Sequence, residues 1–153
     1  MRNFIIKFIS TFFFIGYIPF IPGTLASLAG LFLVWFLRGN PLLYLLITAI
    51  ILFLGFLITS KAEEIFKRKD AKQIVIDEVC GIFLSLLFLP LRPKVIFCAF
   101  ILFRILDALK IFPAERFQRL SGGKGIMLDD IVAGLYTNII LQLVLRFAAF
   151  KIS

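Results

Sequence analysis

The chain reads as an all-α protein, a polytopic membrane helical bundle with about four to five spans and a broken N-terminal helical segment. Three observations predict it. The first is composition: 61% of the residues are hydrophobic, only 17% are charged, and the mean hydropathy is +1.06. A soluble domain holds about 45–50% apolar and about 25% charged residues, and a chain of 153 residues has too much surface to hide such an excess. The second is aromatic loading, since 20 residues are Phe, a side chain that lipid accepts and water does not. The third is punctuation: long uncharged runs alternate with short charged or Pro/Gly turns. The length suits one membrane-embedded domain, residues 1–153.

Residues 2–15 are apolar and aromatic, opened by Arg2 and Lys7. They are short for a span and suit an interfacial or partly inserted helix. Pro19, Pro22, Gly16 and Gly23 then break the helix, and Thr24 is placed to cap a helix over residues 25–37. No small-residue cleavage site precedes a hydrophilic region, so the N-terminus reads as structure and not as a removed signal. A turn at Arg38-Gly39-Asn40-Pro41 leads into a second span over residues 41–59, with no charge between Arg38 and Lys61. Residues 61–72 form the most polar loop, with five Lys or Arg and three acids. A third span is expected over residues 74–89, a fourth from Lys94 to Phe112 ended by Pro113, and a last helix over residues 127–150. The second polar loop, residues 114–125, contains Ser121-Gly122-Gly123-Lys124-Gly125.

The net charge of +8 would suggest nucleic acid in a soluble protein. Here the basic residues sit in loops between apolar runs, where they encode orientation and can attract anionic headgroups. With the N-terminus inside, eleven fall on the inner side: Arg2, Lys7, five in the first polar loop, Lys110, Arg116, Arg119 and Lys124. Five fall outside, at Arg38, Arg92, Lys94, Arg146 and Lys151. Both polar loops therefore face the cytoplasm. Cys80 and Cys98 lie in apolar runs and read as buried reduced thiols.

A charge within a span is costly, so intramembrane acids are functional candidates. Asp77-Glu78 opens the third span, Asp129-Asp130 opens the last, and Arg104, Asp107 and Lys110 follow at three-residue steps on the fourth. By the predicted topology all five carboxylates end at similar depth. Arg104, Lys110 and Lys124 offset part of their repulsion and a divalent metal offsets the rest. Helix caps explain one acid per helix equally well, and an Arg104–Asp107 ion pair would satisfy Asp107 without catalysis. All-oxygen ligands without His favour a hard ion, Mg²⁺ before Zn²⁺. The glycine turn at residues 121–125 suits a phosphate, although it lacks the Walker ending. No His means no phosphohistidine, Asp-x-Asp is absent, and the Cys98–Arg104 spacing encloses lipid-facing residues. What is left is a metal-activated water attacking phosphorus with a carboxylate as base. The alternative class is a small membrane transporter or channel for a divalent cation. It requires a polar path, and the outer halves of these helices carry almost no polar residue.

Four segments resemble the phosphatidylglycerophosphatase A family. Asp77-Glu78-Val79-Cys80-Gly81 resembles its Asp-Glu-x-x-Gly motif, and Phe103-Arg104-Ile105-Leu106-Asp107-Ala108-Leu109-Lys110 its Phe-Arg-x-x-Asp-x-x-Lys segment. Gly125-Ile126-Met127-Leu128-Asp129-Asp130-Ile131-Val132-Ala133-Gly134 is similar to its Gly-x-Met-x-Asp-Asp-x-x-Ala-Gly signature, and Pro22-Gly23-Thr24-Leu25-Ala26-Ser27 to its Pro-Gly-Thr segment. The family has Pro after the lysine, where this chain has Ile111. The resemblance implies Mg²⁺-dependent hydrolysis of phosphatidylglycerophosphate to phosphatidylglycerol, the cardiolipin precursor, on the cytoplasmic face of a bacterial inner membrane. The phospholipid is then the partner and nucleic acid is not. Combined with the residues, it implies that Glu78, Asp107, Asp129 and Asp130 hold the metal, with Asp77 a further ligand or the base. Lys110 and Lys124 would bind the terminal phosphate, Arg104 would position Asp107, and Thr24 would donate to a phosphate oxygen or cap its helix.

Overall fold

The computed structural model describes residues 1–110, 112, 117 and 123–152, with side chains through 147. Pro113, Arg116, Arg119, Ser121 and Gly122 lie outside the described residues, as does the side chain of Lys151. The described residues are helical throughout, with no strand: α1 (Arg2–Ser10), a 3₁₀ turn (Ile15–Tyr17), α2 (Pro22–Leu37), α3 (Pro41–Phe66), α4 (Ile76–Leu86), α5 (Pro93–Leu109) and α6 (Lys124–Ile152).

Proline sets three of the starts. Pro22, Pro41 and Pro93 each lie in the first turn of a helix, where the missing N–H is no loss and φ is already helical. Asn40 adds a side-chain cap to α3, accepting from the Leu43 N–H at 3.0 Å. Thr24 was the expected cap of α2, and it is not one. The helix begins two residues earlier at Pro22, after Ile21 in the left-handed region, so Thr24 sits inside the first turn. Charge did not end α3 either. Lys61, Glu63 and Glu64 continue the helix to Phe66, where Lys67 closes it at φ 51°, because a helix leaving an apolar layer loses nothing by becoming polar.

Among the described residues, only α3 and the stretch Lys124–Phe147 of α6 are long and apolar enough to cross a membrane, fewer than the four to five spans expected. At 1.5 Å per residue, the 26 residues of α3 reach ~39 Å, whereas the 11 of α4 reach only ~16 Å. The 16 of α2 and 17 of α5 come close to the roughly 20 that a hydrocarbon core needs. The outer faces are apolar: Phe32, Phe36, Leu42, Phe53, Phe97 and Phe147 are all exposed. Cys98 shares that exposed side, against the expectation of burial, while Cys80 is buried.

The core runs around α4. Every residue of this helix except Glu78 is buried, and α2, α3, α5 and α6 all pack against it. A helix that is apolar all round belongs in the middle. Phe83, Ile82, Val79 and Leu86 fill the space, with Phe103 of α5, Met127 of α6 and Val34 of α2 closing it. The approach of α6 is close because both partners are glycine: a Cβ on Gly134 would lie 2.5 Å from the Gly81 carbonyl oxygen. The N-terminal arm is tied in by the Val75 N–H, which donates to the Ser10 carbonyl at 2.9 Å.

Candidate functional site

The acids that the sequence singles out arrive from three helices. Asp77 and Glu78 occupy the first turn of α4, Asp107 the last turn of α5, and Asp129 and Asp130 the second turn of α6. The last pair therefore does not open its helix as expected. The helix starts at Lys124, so a capping role is excluded and the two carboxylates are placed against α4 by the glycine crossing. All five line one cavity of about 510 Å³, together with Lys69, Asp70, Arg104 and Lys110.

Within it the five do not behave alike. Asp77, Glu78 and Asp130 each offer a carboxylate oxygen, and these oxygens all lie within 4.8 Å of one another. Asp77 Oδ1, Glu78 Oε2 and Asp130 Oδ2 are buried with no hydrogen-bond partner. Three converging buried carboxylates would repel and would lack the water that stabilises their charge, at a cost of several kcal/mol each. A cation in their midst removes both penalties, so the donor set fits a metal, and its all-oxygen chemistry fits a hard divalent ion.

Asp107 and Asp129 are held differently. Arg104 Nη1 donates to Asp107 Oδ2 at 2.8 Å, and Lys110 Nζ donates to Asp129 Oδ2 at 3.0 Å. Arg104, Asp107 and Lys110 were expected to share one helix face. The helix ends at Leu109 and Lys110 turns into the left-handed region at φ 48°, which swings its ammonium towards α6. Partial burial works against that ammonium, but the hydrogen bond and charge of Asp129 outweigh it and raise the Lys110 pKa above its ordinary value.

Lys124 is exposed at the start of α6 and does not line the cavity, although its neighbours Gly125 and Ile126 do. Thr24 borders a second cavity of about 720 Å³ that shares Asp70, Asp77, Glu78 and Arg104 with the first. There the first turn of α2 presses on the cluster, since a Cβ on Gly23 would collide with Glu78 Oε1. Sequence reasoning missed the loop residues Arg68, Lys69, Asp70 and Lys72, which border these cavities. Their charges register in the sequence only as an orientation signal.

The chain matches the sequence profile of phosphatidylglycerophosphatase A over residues 8–145. The chain belongs to the phosphatidylglycerophosphatase A family. It is 38% identical over 123 residues to the phosphatidylglycerophosphatase A of Haemophilus influenzae, covering 78% of this chain and 76% of that one. With the Escherichia coli phosphatidylglycerophosphatase A the identity is 35% over 134 residues, 84% of this chain and 77% of the other. A Bacteroides thetaiotaomicron protein, provisionally named phosphatidylinositol-3-phosphatase, is 32% identical over 148 residues, 91% of this chain and 92% of its own. No solved structure matches the chain significantly. The four motifs quoted above all fall within the matched span. Three of them supply the five acids that line the cavity, and the fourth supplies the Gly23 contact against Glu78.

Proposed function

We propose that the protein is a Mg²⁺-dependent lipid phosphatase that converts phosphatidylglycerophosphate to phosphatidylglycerol and phosphate. The observation that carries the reading is the trio Asp77, Glu78 and Asp130, each with one buried, unpartnered carboxylate oxygen beside an open cavity, in a chain of this family. The whole chain, residues 1–153, acts as one domain. It sits as a multi-pass bundle of about four to five membrane segments, with the bilayer thinned around α2 and α5 or these two interfacial, in the inner membrane of a bacterium. The excess of Lys and Arg at the cavity end supports a cytoplasmic orientation for it.

Asp77, Glu78 and Asp130 would hold the ion. Asp107 and Asp129, each fixed at one oxygen by Arg104 or Lys110, would add negative charge around it. When bound, Mg²⁺ supplies charge neutralisation and Lewis acidity to the transferring phosphoryl group. Water's oxygen bonds to phosphorus as the bond to the glycerol oxygen breaks. A cavity carboxylate takes the water's proton and returns it to the departing glycerol oxygen. Lys110 and Lys69, on the cavity wall, face the charge of the terminal phosphate, and Lys124 at its edge can swing towards it. The names of the relatives share one chemistry: a phosphomonoester on a polyol that a phosphodiester joins to diacylglycerol.

The transporter reading is not favoured. The third cavity, about 220 Å³, touches α2 and α3 near the opposite end of the bundle. Its lining is largely apolar apart from Arg38 and Tyr44, and it shares no residue with the two acidic cavities.

The test is phosphate release from phosphatidylglycerophosphate in detergent micelles, with Mg²⁺ and with chelator. The wild type should release phosphate only with the metal, and Asp129→Asn and Asp130→Asn should each lose on the order of 100-fold or more. A folded wild type that releases nothing with any divalent metal sinks the reading.

A further inference from the structure

The two cavities that meet at Asp77 and Glu78 are chemically unlike. Beyond the residues they share, the first adds Asp107, Asp129 and Asp130 with two lysines, whereas the only further charges of the second are Arg68 and Lys72. Neither has an ion-pair partner among the described residues. Both side chains are exposed on the loop that borders the cavity. That loop is not loose. The buried carboxylate of Glu63 accepts the Asp70 N–H at 2.8 Å, and the Glu63 carbonyl accepts the Arg68 N–H at 3.3 Å. Lys67 and Asp70, both at φ 51°, make the turn between them.

Part of the wall that these cations share is apolar. Tyr17, Ile18 and Ile21 line the second cavity and are 42–64% exposed, and Phe20 beside them is 79% exposed. In a membrane protein such a rim is a place for acyl chains. The substrate has a fixed order: acyl chains, then a phosphodiester, then the terminal phosphomonoester. If the monoester lies at the carboxylates and the chains stay in the bilayer, the diester must sit between the apolar rim and the acids.

We propose that the second cavity receives the phosphodiester of the headgroup, held by Arg68 and Lys72 beside the apolar rim of Tyr17, Ile18 and Ile21. The acyl chains leave over that rim, and the distal phosphomonoester reaches Asp77, Glu78 and Asp130. This rests on the lipid phosphatase reading and adds to it a place for the phosphate of the substrate that does not react. Each cation contributes a charge-assisted contact to a group that does not react, so its loss weakens binding of substrate and product more than turnover.

The experiment compares the full-length wild type with the double variant Arg68→Ala/Lys72→Ala, in micelles. KM for phosphatidylglycerophosphate should rise roughly ten- to hundredfold, with a much smaller change in kcat. Inhibition by phosphatidylglycerol, which has the diester and tails but no monoester, should weaken in parallel, while inhibition by inorganic phosphate is unchanged. Binding of phosphatidylglycerol, measured on the intact protein by native mass spectrometry, should fall in the same proportion. The charge-conserving Arg68→Lys/Lys72→Arg variant should retain most of the affinity, which a mere folding defect would not predict. An unchanged KM, or an equal loss of phosphatidylglycerol and inorganic phosphate inhibition, overturns the inference. A wild type that binds phosphatidylglycerol through these cations yet hydrolyses nothing would leave the cavity standing and remove the phosphatase reading instead.

Discussion

Gly23 shows how much of this site depends on a side chain that is missing. The first turn of α2 lies so near the cluster that a methyl group there would meet Glu78 Oε1, and the carboxylate must shift from its place beside Asp77 and Asp130 to make room. Gly23→Ala should therefore displace the Glu78 carboxylate and leave the fold intact. The expected result is at least about a tenfold loss of Mg²⁺ affinity in activity titrations, with helix content by circular dichroism unchanged. Unaltered metal dependence would show that the carboxylate has room to move. At this scale the sequence was informative about acids and poor about partners. Five carboxylates stood out because charge in an apolar run is costly, and all five line the cavity. That Lys110 would face Asp129, nineteen residues away and on another helix, depended on a left-handed residue at a helix end that no local pattern announced. Asp77 was legible as functional, but its place in the trio with Glu78 and Asp130, ahead of Asp107 and Asp129, depended on how α6 crosses α4.

Among the elements, α4 is the one the sequence misjudged most. An apolar run over residues 74–89 reads as a span, yet the helix stops after 11 residues with Leu87 extended. Such a stop inside a membrane protein would strand carbonyl groups unless the protein itself satisfies them. Here it does. The Tyr44 hydroxyl donates to the Phe83 carbonyl at 2.5 Å, and Asn138 Nδ2 donates to the carbonyls of Ser85 and Leu87 at 3.2 and 2.7 Å. Gln142 Nε2 holds Asn138 by donating to its Oδ1 at 2.7 Å. One polar residue of α6 thus ends α4, one turn beyond the glycine crossing that sets Asp130 against Asp77. Hydropathy averages conceal this arrangement, because the partners come from α3 and α6. Asn138→Leu should leave two carbonyls unsatisfied and cost about 1–3 kcal/mol of stability. The melting temperature in detergent should fall, and kcat should fall with it as α4 shifts. A variant as stable as wild type would mean that lipid-side water or a rearranged turn takes over.

For the whole molecule, the fold serves to bring carboxylates together where water is scarce, and that conflict has a thermodynamic consequence. The helical membrane character was legible from composition, whereas the packing that buries the acids was not, because it depends on long-range fits such as Gly81 against Gly134. Asp77, Asp129 and Asp130 are each about 95% buried, and only Asp129 has a cation at hydrogen-bonding distance among the described residues. Without metal, the apposition of Asp77, Glu78 and Asp130 opposes folding. With metal, the same apposition is a binding site formed only in the native state. Mg²⁺ should therefore stabilise the protein by RT ln(1 + [Mg²⁺]/Kd), about 2.7 kcal/mol at a hundred times Kd, and chelator should lower the melting temperature. The double variant Asp77→Asn/Asp130→Asn separates the two effects. Relieved of two negative charges, it should melt above the wild type in chelator, gain nothing from Mg²⁺, and release no phosphate. If the variant instead melted below the wild type in chelator, the carboxylates would be stabilising the apo fold through their own hydrogen bonds. The site would then be a structural network and not a place prepared for an ion.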